Sequence, residues 1–269
     1  MPPINPRQLA LDCLLEADVQ RKLALTAAAS AAIASSSHWL ENPDDPPIIP
    51  IPVPGRPSAP LLVPPNQLVQ RKLNSAAGRA ALVHAVAHIE FNAINLAWDA
   101  VYRFPGMPVA YYRDWASVAA DEARHFQLLA SRLAELGHGY GDFPAHNGLW
   151  QMALATADDV MVRMALVPRV LEARGLDVTP GMIERLRRVD DLATIEVLEV
   201  ILREEIRHVA VGSHWYADVC GRRGLDPRET FLALLQTHAV ALRLPFNVAA
   251  RLSAGFDPIE LDALTALAG

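Results

Sequence analysis

The chain has 269 residues, 52% hydrophobic and 20% charged, and its 24 basic and 30 acidic side chains give a formal net charge of −6. This length forms one large domain or two small ones, with room for a sizeable core. The negative charge excludes a strongly basic nucleic-acid-binding protein, and the two cysteines exclude a disulfide-rich scaffold. The N-terminus lacks the features of a signal peptide, and no apolar run reaches the about 20 residues of a membrane span. We therefore expect a soluble, cytoplasmic protein.

The N-terminal part contains a helical segment and then an unusual concentration of proline. Ala-rich, helix-like sequence extends over residues 7–34, and ten of the 21 prolines lie between Pro43 and Pro65. Because proline lacks a backbone donor and clashes with the preceding turn, residues 41–66 are predicted to form an extended strap. Apolar residues within it, such as Ile51 and Val53, indicate that the strap lies against the protein.

The rest of the chain is rich in Ala, Leu and Val, and it is predicted to be helical throughout. A proline–glycine turn separates the first two of four long helical segments, and the fourth ends at Gly221. We name these segments A (75–104), B (109–136), C (156–175) and D (190–221). A capping box over Thr156–Asp159 is predicted to begin segment C, which is predicted to end at Gly175. Shorter helices are predicted over residues 180–189, 226–243 and 257–268.

The predicted fold class is all-α, because no stretch alternates with a period of two residues. We divide the chain into an N-terminal helix (1–40), the proline-rich strap (41–66), a four-helix bundle (67–225) and C-terminal helices packed on the bundle (226–269). The connection between segments B and C is long enough to recross a bundle of this height.

One motif occurs twice, once in segment B and once in segment D. The two copies, 83 residues apart, are Asp121-Glu122-Ala123-Arg124-His125 and Glu204-Glu205-Ile206-Arg207-His208. A Glu and a His at positions i and i+3 share one helix face and can converge on one metal ion. In both copies that face is apolar at helical spacing, where an ionised carboxylate is costly unless it is paired or metal-bound.

Each copy has a glutamate upstream at a matching distance, on the preceding long segment. Glu90 lies 32 residues before Glu122, and Glu172 lies 33 residues before Glu205. With a rise of about 1.5 Å per residue, Glu90 and Glu122 both lie about 21–22 Å from the turn between A and B. Because Glu172 is close to the predicted end of segment C, the 180–189 helix must prolong that segment.

One Glu from each of two helices, with Glu-x-x-His from each of the other two, is the pattern of ferritin-like di-iron carboxylate proteins. The chain resembles this superfamily over about residues 66–245, and most closely an uncharacterised bacterial ferritin-like family known as a domain of unknown function. The stretches that carry the resemblance are LVHAVAHIEFNAINLAWD, DEARHF, RMALVPRVLEARGLDVTP and EEIRHVAVG. The resemblance implies that Glu122 and Glu205 bridge two metal ions. It assigns the remaining ligand positions to Glu90, His125, Glu172 and His208.

This ligand set favours two iron ions, although manganese or a mixed Fe/Mn pair stays open. Four carboxylates neutralise two divalent ions, and two imidazoles add nitrogen ligands. Four further residues lie next to the predicted ligands in the sequence: Asp121, Arg124, Glu204 and Arg207. They either hold the ligands in position through hydrogen bonds or lie on the surface.

The leading hypothesis is an O₂-activating oxidase or monooxygenase that acts on an organic substrate or a modified nucleoside and needs an electron donor. Two alternatives stay open: a ferritin-type protein that oxidises and stores iron, and a metal-free helical interaction module. The sequence contains no GxSxG, P-loop or GxGxxG motif. A homodimer, and a role for the strap as a lid or an oligomer contact, are also left open.

Overall fold

The structure, a computed structural model, describes residues 4–37, 39 and 47–268. The first residues of the predicted strap, 41–46, lie outside this part. Within the described residues all regular structure is helical, and β-type pairing is limited to two isolated bridges, Ile4 with Trp39 and Leu62 with Ala145. The predicted all-α class is therefore confirmed.

The chain divides into two compact units, Met1–Leu154 and Ala155–Gly269. We call them unit 1 and unit 2 and describe each by itself. The four ranges into which we divided the sequence stay a prediction.

Unit 1 is built around a long helical hairpin. Its helices are α1 (Pro6–Leu15), α2 (Val19–Ser35), α3 (Ala76–Arg103), α4 (Val109–Glu135) and most of α5 (Gly148–Ala155). α3 packs along α4, while α1 packs against α3 and α2 against α4. The Ser75 side chain caps α3 by accepting a hydrogen bond from the Gly78 amide at 3.1 Å, and Gly137, with φ of 79°, follows the end of α4. The two hairpin helices confirm segments A and B.

The single N-terminal helix predicted over residues 7–34 is wrong, because the structure has two helices there. Glu16 leaves the helical conformation, with φ of −66° and ψ of 124°, and α2 begins after Asp18. The Asp18 carboxylate accepts a hydrogen bond from the Arg21 amide at 2.9 Å. This N-cap offers the backbone an alternative to continuing the first helix.

The described part of the strap, residues 47–66, runs along unit 1 as predicted. The Gly55 amide donates to the Leu14 carbonyl at 2.7 Å, and a Cβ at Gly55 would lie only 2.2 Å from the Glu16 carbonyl oxygen. The apolar residues of the strap do not all face the protein, however. Ile51 is 3% exposed, whereas Val53 is 55% exposed.

Unit 2 is a second helical array. Its helices are α6 (Val160–Leu166), α7 (Ala173–Arg187), α8 (Leu192–Arg222), α9 (Pro227–Thr237), α10 (Val248–Ser253) and α11 (Pro258–Ala268). A π-helical turn over Val167–Glu172 joins α6 to α7 without a break. These three elements pack along α8, and α9 packs against α6 and α8. α8 confirms segment D, α9 ends short of the predicted residue 243, and α10 is an additional helix that we did not predict.

The predicted end of segment C at Gly175 is wrong, because α7 runs through Gly175 and through Pro180. The prediction that the 180–189 helix prolongs this segment is confirmed, although the helix is continuous and not interrupted. Proline removes the hydrogen bond that the carbonyl four residues earlier would accept. That carbonyl belongs to Leu176, and it accepts a hydrogen bond from the Asn247 side-chain amide at 3.2 Å. A side chain 71 residues away thus provides the hydrogen bond that the proline cannot donate to this carbonyl.

The predicted capping box at Thr156 is also wrong. Asp159 is the N-cap of α6, because its carboxylate accepts from the Met161 amide at 2.7 Å. The Thr156 hydroxyl instead accepts a hydrogen bond from Nε of the buried Arg163 at 2.7 Å.

Among the described residues, one helix is long and apolar enough to cross a membrane by length and composition. This helix is α3, and 78% of its most apolar window is buried inside the structure. The core helix of a soluble protein passes the same test, so α3 is only weak support for a membrane span.

Candidate metal centre

In unit 1, the hairpin brings three of the predicted ligands together. His125 Nδ1 lies 3.2 Å from Glu90 Oε2 and 3.5 Å from Glu122 Oε2. All three side chains are buried, with 4% of Glu90, 1% of Glu122 and none of His125 exposed. Two carboxylates from two helices therefore meet at one imidazole.

The local sequence explains this convergence. Glu122 and His125 are one turn apart on α4, so that their side chains leave the same face. Glu90 lies on α3 at about the same distance from the turn that joins the two helices. Beside this group, the rings of Phe91 and Phe126 lie 5.5 Å apart between centroids and belong to the core of the hairpin.

The two carboxylates control the charge of His125. Burial by itself lowers the pKa of the imidazole, but hydrogen bonds to Glu122 and Glu90 and attraction to their charges raise the pKa to about 11. The two carboxylates therefore favour the protonated imidazole, and a metal ion would have to displace that proton before His125 could act as a ligand.

In unit 2, the second copy of the motif has the same local arrangement. His208 Nδ1 lies 3.1 Å from Glu205 Oε1; His208 is fully buried and Glu205 is 9% exposed. Glu172 is half-buried and is the last residue of the π-helical turn that packs along α8.

The π-helical turn that carries Glu172 is held by contacts that sequence reasoning missed. Pro168 lies directly on Gly212 of α8, where a Cβ would come within 2.2 Å of the proline ring. The buried Arg169 guanidinium pairs with Glu260 and lies among three aromatic rings, with centroids 4.4–5.1 Å from its Cζ. These rings belong to Tyr216, Phe231 and Phe256. Two features of the sequence could have predicted the contact between Pro168 and Gly212: the proline lies inside a helical segment, and the glycine follows His208 by one turn. No local pattern links Arg169 to Glu260.

The four predicted supporting residues lie at the edge of the motif. Arg124 and Arg207 are exposed, and Asp121 and Glu204 are half-buried. Arg124 pairs with Asp121 on the same helix at 3.3 Å. Their role in supporting the ligands stays a prediction.

Glu122 and His125 in unit 1, and Glu205 and His208 in unit 2, are buried residues of the kind that could hold a metal ion. Carboxylate oxygen with imidazole nitrogen suits iron, manganese and zinc, and these donors do not select one metal among them. The donor chemistry in each unit thus fits the predicted ion type.

Comparison with known proteins shows the family of this chain. A family model described as "Protein of unknown function (DUF455)" matches residues 15–262, and the chain therefore belongs to that family. An uncharacterized protein of Haemophilus influenzae is 48% identical over 214 residues, which cover 77% of this chain and 74% of that protein. No solved structure matches the chain.

Proposed function

We propose that this chain, a member of the DUF455 family, is a ferritin-like, non-haem di-iron carboxylate protein and an O₂-activating oxidase or monooxygenase. The observation that carries the proposal is the repeated local geometry. In each unit a buried Glu-x-x-His pair directs histidine Nδ1 toward a carboxylate oxygen, at 3.5 Å for Glu122 and 3.1 Å for Glu205. The proposed ligands are Glu90, Glu122 and His125 from unit 1 and Glu172, Glu205 and His208 from unit 2.

The donor types support iron as the resident metal. Two bound iron ions would supply the electrons with which O₂ is reduced. The four carboxylates neutralise the charge of both ions, and the burial of the pairs in apolar helix faces keeps bulk water away. The organic or modified-nucleoside substrate and the electron donor are further partners in this proposal.

A cytoplasmic location belongs to the same proposal. Both cysteines of the chain, Cys13 and Cys220, are free and buried. Free thiols are typical of a reducing compartment, in which ferrous iron is also maintained.

The test is the metal content of protein purified without chelators. We expect about two equivalents of iron or manganese per chain, because four carboxylates balance two divalent ions. Glu122→Ala and Glu205→Ala should each lose both ions, since the resemblance to ferritin-like proteins implies that each of these carboxylates would serve both. Glu90→Ala and Glu172→Ala should each retain about one ion.

This set of variants separates one dinuclear centre from two independent sites. If each unit held its own ion, Glu122→Ala would lose only one of them, and the dinuclear proposal would be wrong. Exposed glutamates on the same helices provide matched controls, and Glu135→Ala on α4 and Glu199→Ala on α8 should retain all the metal.

The activity is tested by loading the protein with Fe(II) without oxygen and then exposing it to O₂ while absorbance is recorded. We expect a new absorption band in the loaded protein that Glu122→Ala does not develop. Absence of metal from every preparation would favour the metal-free interaction module instead.

A further inference from the structure

Unit 1 contains a cavity of about 210 Å³ that the proposed metal chemistry does not use. It lies between residues 68–71, α3 and residues 143–149. Ala81 and Ala85, one turn apart on α3, leave the space open because their side chains are short. The other apolar walls are Leu68, Val69, Ile89, Pro144 and Leu149.

The cavity also has a cation at its edge. The Arg71 guanidinium lies over the Phe143 ring, with 5.4 Å between Cζ and the ring centroid, and both residues line the cavity. Within the part of the chain that the structure describes, this guanidinium has neither an ion pair nor a hydrogen bond. Its donors are therefore available to an anion that enters the cavity.

Two histidines complete the polar part of the lining. His146 Nδ1 accepts a hydrogen bond from the Gly148 amide at 3.1 Å, which leaves Nε2 of the neutral ring as a donor. His88 is already occupied, since its ring nitrogens lie 2.9 Å from the Tyr140 hydroxyl and 3.0 Å from the His146 carbonyl. His88 therefore has no ring nitrogen left for a ligand, whereas Arg71 and His146 can donate hydrogen bonds to one.

This cavity is separate from the proposed metal ligand on the same helix. His88 and Glu90 are two positions apart on α3, which turns their side chains about 200° away from each other. A ligand in the cavity would thus lie on the opposite side of α3 from Glu90.

We propose that this cavity binds a small aromatic carboxylate with a single ring. The cavity is open to solvent on one side, where Val69 is 74% and Ile89 is 47% exposed, and its volume of about 210 Å³ has room for one ring and a carboxylate. Nucleotides and other large ligands need pockets of about 300 Å³ or more. The carboxylate would pair with the planar guanidinium of Arg71, while the ring lies against the apolar walls.

The test is a calorimetric or NMR titration of the full chain with phenylacetate, and with phenylacetamide as its neutral counterpart. We expect phenylacetate to bind with millimolar affinity or better. Phenylacetamide should bind about tenfold more weakly, because it lacks the charge that pairs with Arg71. Ala85→Leu, which fills the cavity and keeps a good helix former, should abolish binding of both probes.

The variant Arg71→Gln should weaken phenylacetate binding about tenfold and leave phenylacetamide binding unchanged. Lys72→Gln is the matched control, because this neighbouring cation does not line the cavity and its loss should have no effect. Equal binding of phenylacetate to the Ala85→Leu variant, or equal binding of acetate and phenylacetate, would overturn the proposal. Because binding is measured directly, the result does not depend on the metal content.

Discussion

At the scale of single residues, His84 shows how burial sets a protonation state. The residue is 1% exposed, and its Nε2 accepts a hydrogen bond from the Gly141 amide at 3.0 Å. Its ring also stacks on Tyr140, with 5.4 Å between centroids. Burial lowers the pKa of His84 from 6.5 to about 4, although the nearby Asp142 raises it in part. The imidazole is therefore neutral in the folded protein at pH 7.

This state makes the fold sensitive to acid. Between pH 6.5 and 4 the unfolded chain takes up a proton at His84 that the folded chain does not, so the free energy of unfolding decreases as the pH decreases. His84→Gln keeps an acceptor for Gly141 but does not titrate. Between pH 7 and pH 4, we expect the free energy of unfolding of the variant to decrease by about 3 kcal/mol less than that of wild type.

Urea unfolding at several pH values measures this difference. His214→Gln, at an exposed position, is the control and should follow wild type. Identical pH profiles for wild type and His84→Gln would contradict the prediction.

At the scale of elements, the π-helical turn is the feature that places Glu172. A π-type turn widens a helix locally and often occurs at functional sites. Here Pro168 cannot donate to the α-helical ladder, and its ring occupies the space over Gly212 on the neighbouring helix. The proline and the glycine therefore act as a pair that brings the turn close to α8.

Gly212→Ala tests this packing. Alanine usually stabilises a helix interior relative to glycine by about 1 kcal/mol. At this position we expect the opposite sign, a loss of about 1–3 kcal/mol, because the new Cβ would lie 2.2 Å from Pro168. If the metal proposal is right, the displaced turn also weakens the hold of Glu172 on its ion.

Gly221→Ala is the control on the same helix, since a Cβ there meets nothing within 4 Å. Thermal and urea unfolding of both variants measure the change in stability that each substitution causes. If Gly212→Ala is more stable than wild type, Pro168 can move away from the new Cβ without loss of stability, and the prediction is wrong.

At the scale of the whole molecule, the proposal requires both units to contribute ligands to one centre. Metal that binds the folded chain alone raises its stability, by about 2.7 kcal/mol when the free metal is at 100 times its dissociation constant. We expect Fe(II) to raise the thermal unfolding temperature of wild type. A single ligand variant in either unit, Glu122→Ala or Glu205→Ala, should remove most of this increase.

Differential scanning calorimetry with and without Fe(II) measures the shift, and a chelator should reverse it. Glu135→Ala should respond to Fe(II) as wild type does. An equal shift in Glu122→Ala and wild type would exclude Glu122 as a ligand.

The size of the particle in solution separates the enzyme from a storage protein. The strap and the helices outside the proposed bundle add bulk that would obstruct packing into a shell. We expect gel filtration to give the mass of one or two chains. A large hollow assembly would favour iron storage over the oxidase.

The sequence by itself determined the long helices α3, α4 and α8 and the residues of each local group on them. The i, i+3 spacing predicted that Glu122 and His125 share a face, and the positions of Glu90 and Glu122 relative to one turn predicted that they lie at one level. The structure brings these three residues together. Such predictions succeed because helical periodicity and turn length depend on neighbouring residues alone.

Only the tertiary structure decided the features that depend on distant partners. α7 passes through Pro180 because Asn247 satisfies the Leu176 carbonyl, and Arg169 is buried because Glu260 and three aromatic rings surround it. The cavity exists because residues from three separate stretches close around Ala81 and Ala85. Each of these features joins residues that are far apart in the sequence, and local spacing does not encode which of them the packed fold brings together.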